Sequence, residues 1–485
     1  MVDILVVGAG PVGLTMAAEL TRYGLAVRII DRAEHPTQTS KALVIWSRTL
    51  ELLDRAGAAP PFLDAGLRAH GGAIRSGGTL LGRARFDHIA SPYNFALMIP
   101  QSETERLLTA HLASLGVNVE RQLELVSFSQ RADHVEAHLR HVDGREEVLS
   151  TPWLIGCDGA HSVVRHGLRV EFHGSAQGDD WMLADVRLGG EGAPATDEVA
   201  TFLHREGPLV VFPIPGGRAR IVAVIGKTDP QNPRPDPTLA DVQAMVDGRC
   251  GAGIQVTDPV WLSTFRINER KASSYSQGRV FLAGDAAHIH SPAGGQGMNT
   301  GMQDAFNLAW KLAMVAHGQA SPSLLDSYSP ERSAVGKLVL QNASRMTDMA
   351  TLSPPAAQAI RNMALRFLLG LHAVQDKLSS TMSETDIAYA HSPLSEGPGA
   401  GNRLAPEDYD GPPPGSGNRP RLVLMTADTE KGAALATRFP DLLEPGPRRP
   451  PDAARLLVVR PDGYIGLSAR RGEWNKAEAY LKVFA

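Results

Sequence analysis

Short apolar runs that end at a glycine or an acidic residue recur along the chain. The first run covers residues 4–7, and glycines follow at positions 8, 10 and 13 before a stretch with helical apolar spacing that reaches Tyr23. Gly24 is suited to end that helix, and residues 26–30 form a second apolar run that finishes at Asp31. The pattern predicts a strand, a tight turn, a helix and a second strand, in that order.

Two later apolar runs lead into acidic turns in the same way. Residues 153–157 precede an Asp-Gly pair at 158–159, and residues 279–283 precede a Gly-Asp pair at 284–285. A glycine-rich loop follows the second pair, and helical apolar spacing then extends over residues 297–315. We therefore expect two more buried strands, each of which ends at an acidic turn.

The rest of the chain has other patterns. Residues 181–188, 209–215 and 220–225 predict an antiparallel hairpin sheet. Residues 355–378 have the spacing of one helix, and we expect its apolar face in the core or in a dimer interface. Residues 391–420 are rich in proline and glycine, which predicts a linker.

The composition is that of an ordinary globular protein, and the length of 485 residues allows about three domains. The net charge of −4 provides no basic surface, so we expect no nucleic-acid partner. The two cysteines, Cys157 and Cys250, include no C-x-x-C pair. We therefore expect a reducing, cytoplasmic compartment, without dithiol chemistry or a thiolate zinc site.

The apolar amino-terminal stretch is not expected to be a signal peptide. Residues 4–18 are apolar and small, but Asp3 stands where a positive charge is required, and Pro11 and three glycines interrupt the run. No stretch of 18 uninterrupted apolar residues occurs, so the sequence predicts no membrane span.

The glycines at positions 8, 10 and 13 form a G-x-G-x-x-G motif between the first strand and its helix. Gly8 permits the tight turn, Gly10 lets a pyrophosphate approach the main chain, and Gly13 lets the helix pack against the strand. Asp31 lies 18 residues beyond Gly13, where a carboxylate can accept hydrogen bonds from ribose hydroxyls. The motif predicts a dinucleotide site and by itself leaves FAD and NAD open.

The two acidic turns offer further contacts for such a cofactor. Arg165 follows Asp158 by one or two helical turns, where it can reach a phosphate or the aspartate. Asp285 stands beside glycines and a helix start, which suit a polyol or phosphate group. His288 and His290 do not predict a metal site, because no third or fourth ligand lies nearby in the sequence.

Taken in this order, the three motifs resemble those of the class A flavoprotein monooxygenases, the FAD-dependent aromatic hydroxylases, and above all the phenol and polyketide hydroxylase branch. The stretches 41–51 and 99–108 agree with that family, and the resemblance covers residues 1–345 with specific motifs. It implies an α/β fold: a Rossmann-like FAD-binding domain, an inserted antiparallel β-sheet substrate domain and a small thioredoxin-like carboxyl-terminal α/β domain.

The resemblance also implies domain boundaries. The FAD-binding domain is discontinuous and includes a helical tail, with residues 1–70, 101–171 and 268–390. The substrate-binding sheet comprises residues 71–100 and 172–267. Beyond the linker at 391–420, residues 421–485 form a short thioredoxin-like domain without cysteines, for which we expect a structural or oligomerisation role.

Each position that matches a family motif has an implied role. The residues expected to bind FAD are Gly8, Gly10, Pro11, Val12, Gly13, Asp31, Arg32, Lys41, Gln101, Asp158, Arg165, Gly284, Asp285, Pro292, Gly295, Gly297, Met298 and Asn299. Pro292, Gly295 and Gln296 are expected to lie closest to the chemistry at the flavin edge, and no side-chain base is identified. The start of the helix at Gly297 is expected to direct its positive end at the reduced flavin anion.

The implied activity is a monooxygenation that consumes NADPH or NADH and O₂. The nicotinamide nucleotide reduces FAD, O₂ adds at flavin C4a to give a hydroperoxide, and a phenolic or polyketide-like aromatic ring takes the distal oxygen. The expected partners are an aromatic small molecule and O₂, and a homodimer is an open option.

Other activities on the same scaffold remain open. A Baeyer–Villiger oxygenase would use the same peroxide on a ketone, and a reductase of isoprenoid double bonds would also use FAD. A flavin-dependent halogenase is disfavoured because its W-x-W-x-I-P motif is absent, and a non-catalytic flavin-binding protein is disfavoured because the motifs are intact. The sequence does not choose the substrate, the nicotinamide nucleotide, the substrate-activating base or the oligomeric state.

Overall fold

The computed structural model describes residues 2–37, 42–229, 231–352 and 354–484. Its strands are β1 (Ile4–Val7), β2 (Val27–Asp31), β3 (Val44–Ile45), β4 (Leu67–Ala69), β5 (Gly71–Ser76), β6 (Thr79–Arg85), β7 (Ala96–Met98), β8 (Glu120–Arg121), β9 (Leu123–Gln130), β10 (Val135–His141), β11 (Glu146–Thr151), β12 (Trp153–Gly156), β13 (Phe172–Gly189), β14 (Glu198–Leu203), β15 (Leu209–Ile214), β16 (Arg218–Lys227), β17 (Gln255–Ala272), β18 (Ser276–Gln277), β19 (Val280–Leu282), β20 (His288–Ile289), β21 (Val423–Thr426), β22 (Arg455–Val459) and β23 (Ile465–Arg470). Its α-helices are α1 (Pro11–Arg22), α2 (Ser47–Arg55), α3 (Ala59–Ala65), α4 (Gln101–Ser114), α5 (Val163–Leu168), α6 (Leu239–Cys250), α7 (Gly297–Ala316), α8 (Tyr328–Ala350), α9 (Pro355–Leu368), α10 (His372–Met382), α11 (Thr429–Arg438) and α12 (Trp474–Lys482). Within the described ranges, no helix has both the length and the apolar character needed to cross a membrane.

The first sheet is built from the apolar runs that precede the three turns. Its strand order is β18-β19-β12-β1-β2-β8, and the pairs from β19 to β8 are parallel. β1, β12 and β19 are buried along their whole length, as is usual for continuous apolar strands in a parallel sheet. The predicted strand, turn, helix and strand at the amino terminus are confirmed as β1, α1 and β2.

The second sheet contains the predicted hairpins. Its order is β20-β17-β13-β16-β15-β14-β5-β6, and it is antiparallel except for the β14–β5 pair. One face packs against α6, where Val242 and Val246 lie among Met182, Ala184 and Ile221 of the sheet. The other face is directed away from α6.

The carboxyl-terminal residues form a smaller antiparallel sheet, β21-β22-β23, with α11 and α12. Residues 391–420 differ from the expected linker, because Leu394, Leu404 and Tyr409 are buried. The main chain of this segment also hydrogen-bonds to β23, with Glu396 N donating to Gly466 O at 2.8 Å. Proline and glycine here permit a tightly folded packed segment, not an extended connection.

The helix predicted over residues 355–378 is two helices, α9 and α10, and of the two places expected for its apolar face, the core or a dimer interface, the core is excluded. Ile360, Met363 and Phe367 are 64%, 70% and 68% exposed. Apolar spacing indicates that a face needs a neighbour, but it does not say which element supplies one. No other part of the described chain covers this stripe.

Candidate functional site

The three predicted turns lie side by side because they follow adjacent parallel strands. β19, β12, β1 and β2 are consecutive in the sheet, so their carboxyl ends share one edge. Main-chain hydrogen bonds connect neighbouring strand ends, from Cys157 N to Val7 O at 2.8 Å and from Ala283 N to Gly156 O at 3.0 Å. Such an edge is the usual ligand site of an open α/β sheet.

The glycine motif is shaped by two close contacts and one open position. Gly8 has a φ of +99°, and an added Cβ would lie 2.4 Å from Cys157 O. At Gly13, an added Cβ would lie 1.9 Å from Gly8 O, because α1 packs directly on the turn. At Gly10, an added Cβ would meet nothing within 4 Å. The fold therefore requires glycine at positions 8 and 13, whereas Gly10 faces space that a ligand can enter.

A cavity of about 260 Å³ opens in front of this motif. Its lining includes six of the predicted cofactor residues, namely Gly8, Gly10, Asp31, Arg32, Gln101 and Asp158. A helix start, carboxylates and a guanidinium around one cavity suit the ribose and pyrophosphate of a dinucleotide. The residues of the third turn are not part of this lining.

Asp31 holds the glycine turn against the end of β2. Its Oδ2 accepts a hydrogen bond from Ala9 N at 2.7 Å, and its Oδ1 accepts one from Ala33 N at 2.7 Å. Each carboxylate oxygen keeps a second lone pair for a ribose hydroxyl. Arg32 is exposed beside it, while Lys41, which is also expected to bind FAD, is outside the described residues.

Gln101 begins α4 and lines the cavity with two charged residues that the sequence did not reveal. Gln101 Nε2 donates to Glu105 Oε1 at 2.9 Å, and Glu105 Oε2 accepts from Thr37 N at 3.2 Å. Burial raises the pKa of Glu105. Arg121, which pairs with Asp31 in the sheet, has a buried Nη2 without a partner. Arg121 lies in no motif and Glu105 has no role assigned within the stretch 99–108, because only the packing of α4 and β8 beside β2 brings these side chains to the cavity.

Asp158 has one engaged and one unengaged carboxylate oxygen. Oδ2 accepts from Val164 N at 3.2 Å, whereas Oδ1 is buried without a partner, and burial raises the pKa of this carboxyl. Arg165 donates to two main-chain carbonyls, Ala286 O at 3.0 Å and Ala160 O at 2.8 Å. Arg165 thus joins the second turn to the third, and its contact with a nucleotide stays a prediction.

Val12 brings the first and third turns into contact. An added Cβ at either Gly284 or Gly301 would lie 2.7 Å from Val12 Cγ2, so α1, the third turn and α7 meet without room for another side chain. Pro11 precedes it as the first residue of α1, a position where proline fits well. Asp285 is exposed on the short 3₁₀ turn of residues 284–286.

A buried network behind the third turn was not predicted. Asp304 on α7 accepts hydrogen bonds from Gly284 N at 3.0 Å and from Arg332 Nε at 2.6 Å, and it pairs with His288 Nε2 at 2.7 Å. Burial opposes the charge of Asp304, but Arg332 and His288 keep its pKa below the usual value. The network fixes the third turn to α7 and α8.

Two amide side chains fix the loop of residues 292–299. Asn299 is fully buried; its Oδ1 accepts from Trp46 N at 2.8 Å, and its Nδ2 donates to Val44 O and Gly295 O, both at 2.9 Å. Gln296 Nε2 donates to a carbonyl at the end of α10 at 2.8 Å. Because both amides are engaged in this way, the loop presents mainly its main chain to a ligand.

The loop ends in three main-chain donors. Pro292 is exposed, and Gly295 has a φ of +63°, which allows the sharp turn into α7. Thr300 N donates to Gln296 O at 2.8 Å, so the N–H groups of residues 297–299 precede the first bond of the helix. Free N–H groups at the positive end of a helix favour a negatively charged ligand group.

His290 lies against this helix start. An added Cβ at Gly297 would lie 3.2 Å from the His290 ring, and the ring's Nε2 is buried without a partner. Burial lowers the pKa of His290 to about 4, so the ring is neutral at pH 7. Across the described ranges, no group of three or more His, Cys, Asp or Glu side chains is arranged to hold a metal ion.

These features fit the FAD that the sequence motifs imply. Gly10 leaves room for a pyrophosphate, Asp158 Oδ1 and Arg121 Nη2 are unengaged at the cavity, and residues 297–299 offer donors beyond it. Asp31 and Gln101 also line this cavity.

Comparison with known proteins gives matches over most or all of the chain. The sequence model of a family described as an FAD binding domain matches residues 1–343. The chain is 36% identical to 6-methylpretetramide 4-monooxygenase of Streptomyces rimosus, over 99% of this chain and 93% of that protein. It is 35% identical to pentachlorophenol 4-monooxygenase of Sphingobium chlorophenolicum, over 71% of this chain and 64% of that protein.

Solved structures match over the same extent. An anhydrotetracycline hydroxylase from Streptomyces rimosus superposes with a TM-score of 0.82 at 30% identity, covering 99% of this chain and 98% of that one. An aromatic hydroxylase from angucycline biosynthesis superposes with a TM-score of 0.81 at 30% identity, covering 100% and 99%. The likeness therefore includes the second sheet and the carboxyl-terminal residues.

Proposed function

The chain belongs to the FAD-binding family of flavoprotein aromatic monooxygenases, and on this premise we propose that it hydroxylates a planar aromatic compound of several fused rings. The observation that carries the proposal is the meeting of three cofactor turns at one sheet edge. Two relatives, named for 6-methylpretetramide and anhydrotetracycline, match nearly the whole chain, whereas the pentachlorophenol enzyme matches 71% of it, which supports a polyketide-like substrate over a simple phenol.

The proposed reaction replaces a ring C–H bond by a C–O bond. The aromatic substrate, O₂, NADPH or NADH and one proton give the hydroxylated product, water and the oxidised nicotinamide nucleotide. FAD, when bound, supplies the electron transfer and the activation of oxygen. The side chains and main chain of this protein bind, orient and shield the reactants.

The start of α7 is proposed to stabilise negative charge beside the reacting centre. Its three leading N–H groups precede the first hydrogen bond of the helix, and Asn299 fixes the loop before them, so they do not have to reorganise when charge develops. The loop that contains Pro292, Gly295 and Gln296 is therefore proposed to position the reactants through its main chain. Asp285, exposed on the third turn, is proposed to accept hydrogen bonds from cofactor hydroxyls.

The proposal is tested on the purified, FAD-loaded protein. We expect oxidation of NADPH or NADH to be stimulated by hydroxylated anthraquinones and anhydrotetracycline more than by simple phenols. With isotopically labelled O₂, one labelled oxygen should enter the product. The position of that oxygen, determined by NMR, distinguishes ring hydroxylation from Baeyer–Villiger insertion. A protein that takes up no FAD, or a product oxygen that comes from water, would overturn the proposal.

We also propose that two copies of the chain associate through α9. Its exposed stripe at positions 360, 363 and 367 follows a single helical line, which can pair with its own copy about a two-fold axis. Replacing Phe367 by glutamate should convert a dimer to a monomer in analytical ultracentrifugation. A wild-type protein that sediments as a monomer at micromolar concentration would contradict this assignment.

The remaining proposals concern the carboxyl-terminal residues and the compartment. The order strand, helix, strand, strand, helix in residues 423–482 supports a shortened thioredoxin-like unit. The part of this unit that the structure describes contains no cysteine, which supports a structural role.

Cys157 and Cys250 are both free and buried, which supports a reducing, cytoplasmic compartment.

A further inference from the structure

The face of the second sheet opposite α6 is lined by aromatic side chains. Trp181 lies across from Phe265 in the β13–β17 pairing, and Phe212 lies across from Arg220 in the β15–β16 pairing, which places all four on one face. Trp261 belongs to the same cluster. Phe212, Trp261 and Phe265 remain half-buried, because the described chain does not cover this face completely.

The aromatic face begins at the loop that precedes α7. Phe212 also packs in a cluster that contains Val44 and Trp46. Trp46 Nε1 donates to Gly294 O at 2.8 Å, and an added Cβ at Gly295 would lie 3.2 Å from Val44. The face therefore continues from the loop expected at the flavin edge, where a planar substrate has to lie.

One polar atom on this face has no partner. Trp181 is 6% exposed, and its Nε1 is buried without a hydrogen-bond acceptor. The carboxylate of Asp185, four residues further along β13, is engaged, since both of its oxygens accept from Arg220 at 2.7 Å. An indole N–H can only donate, and leaving such a group buried and unsatisfied is unfavourable. A ligand that carries an acceptor removes that cost.

We propose that Trp181 is a specificity-determining residue whose indole N–H donates to a ring carbonyl oxygen of the substrate. The assignment rests on the proposed function and adds to it the substrate class: fused aromatic rings that carry a quinone or ketone carbonyl. Phe212, Trp261 and Phe265 supply the flat apolar surface for the rings.

The test compares two probe ligands that differ only in the carbonyl groups. A dihydroxyanthraquinone and the dihydroxyanthracene with the same hydroxyl pattern are titrated into the FAD-loaded protein without a nicotinamide nucleotide, and binding is followed by the flavin spectrum. We expect the wild-type protein to bind the quinone about fivefold more tightly, the value of one ordinary hydrogen bond. Trp181→Phe keeps an aromatic ring but removes the donor, so it should abolish that preference.

Trp474→Phe is the matched control. Its indole Nε1 is likewise buried without a partner, but it lies on α12, far along the chain from the second sheet. This variant should keep the wild-type preference. Retention of the preference in Trp181→Phe, or its loss in Trp474→Phe, would overturn the assignment of Trp181.

The affinities of the wild-type protein for the two ligands can be compared without any variant. This comparison tests the inference even if Trp181→Phe folds poorly. Equal affinity of the wild-type protein for both ligands would overturn the inference. A failure of the inference about Trp181 is distinguishable from a failure of the proposed function, because ligand binding is measured without turnover. Hydroxylated product together with equal affinities removes only the role of Trp181, whereas a carbonyl preference without any product removes only the proposed reaction.

Discussion

At the scale of single residues, the site depends on glycines, which have no side chain, and on polar residues whose side chains hydrogen-bond to the main chain. Gly8 and Gly13 are in van der Waals contact with the neighbouring backbone, so the fold itself excludes a Cβ. Gly10 is different, because its absent side chain leaves space on the cavity side. Asn299 and Arg165 are large polar residues, yet both bind main-chain carbonyls and fix the turns in place.

The difference between two glycines gives a prediction. Gly10→Ala should leave the thermal unfolding of the FAD-free protein nearly unchanged, since an added Cβ meets nothing within 4 Å. It should raise the Kd for FAD about tenfold or more, because the methyl group occupies the path of the pyrophosphate.

Gly13→Ala is the comparison for that variant. Its Cβ would lie 1.9 Å from Gly8 O, so the FAD-free protein itself should be destabilised by about 1–3 kcal/mol. Calorimetry of the FAD-free proteins and fluorescence titration with FAD separate the two effects. Wild-type FAD affinity in Gly10→Ala would show that no cofactor group approaches this position.

At the scale of elements, α7 connects the cofactor turns to the helices behind them. Glu384, just after α10, is fully enclosed; it accepts a hydrogen bond from Thr300 Oγ1 at 2.7 Å and another from Gln303 Nε2. Burial raises the pKa of Glu384 to about 8, although both hydrogen bonds act in the opposite direction. The carboxyl is therefore mostly protonated at neutral pH.

This shift predicts a pH-dependent stability. Glu384 has a pKa near 4.3 in an unfolded chain, so between about pH 4.3 and 8 the folded state holds a proton that the unfolded state releases. The stability from this group is complete below that window and is lost as the pH rises through it. Glu384→Gln should therefore stabilise the protein at pH 8, by about 1 kcal/mol or more, and have little effect at pH 5.

Chemical denaturation at both pH values measures this difference. The amide carries no charge that burial would oppose, and Gln303, whose Nε2 donates to Glu384, has an Oε1 that is buried without a partner. A variant that keeps the wild-type dependence of stability on pH between 5 and 8 would exclude Glu384 as its source.

At the scale of the whole molecule, the carboxyl-terminal residues are attached to the cofactor-binding part by buried charges. Arg460 donates to Glu331 on α8 at 2.7 and 2.9 Å and to Asp462 at 2.6 Å, and Lys311 on α7 donates to Glu331 at 2.8 Å. These side chains are at most 3% exposed. Burial opposes the charge of Glu331, but Arg460 and Lys311 keep its pKa well below the usual value.

Removing one charge from this cluster should weaken the attachment. Glu331→Gln leaves Arg460 and Lys311 without their shared carboxylate, and breaking a buried pair in this way typically costs about 3 kcal/mol or more. Denaturation should show the loss, and limited proteolysis should cut the carboxyl-terminal residues earlier. Glu478→Gln, which breaks an exposed pair with Arg438, is the control and should change little. Equal stability of the two variants would contradict the role given to Glu331.

The sequence by itself determined the cofactor turns and the strands that lead into them. Each depends on local features: an apolar run short enough to be a buried strand, a glycine where a Cβ cannot fit, and an acidic residue at the strand end. The family motifs depend on the same local features, so they identified the FAD-binding monooxygenase family before the fold was known.

Only the tertiary structure decided what surrounds those turns. Glu105 and Arg121 reach the cavity, and Trp46 and Asn299 meet, through contacts between residues far apart in the chain. The packed state of residues 391–420 and the open apolar stripe of α9 depend on which elements become neighbours. Periodicity describes the conformation of one segment, whereas burial and hydrogen-bond partners are properties of pairs of segments, and no local pattern specifies them.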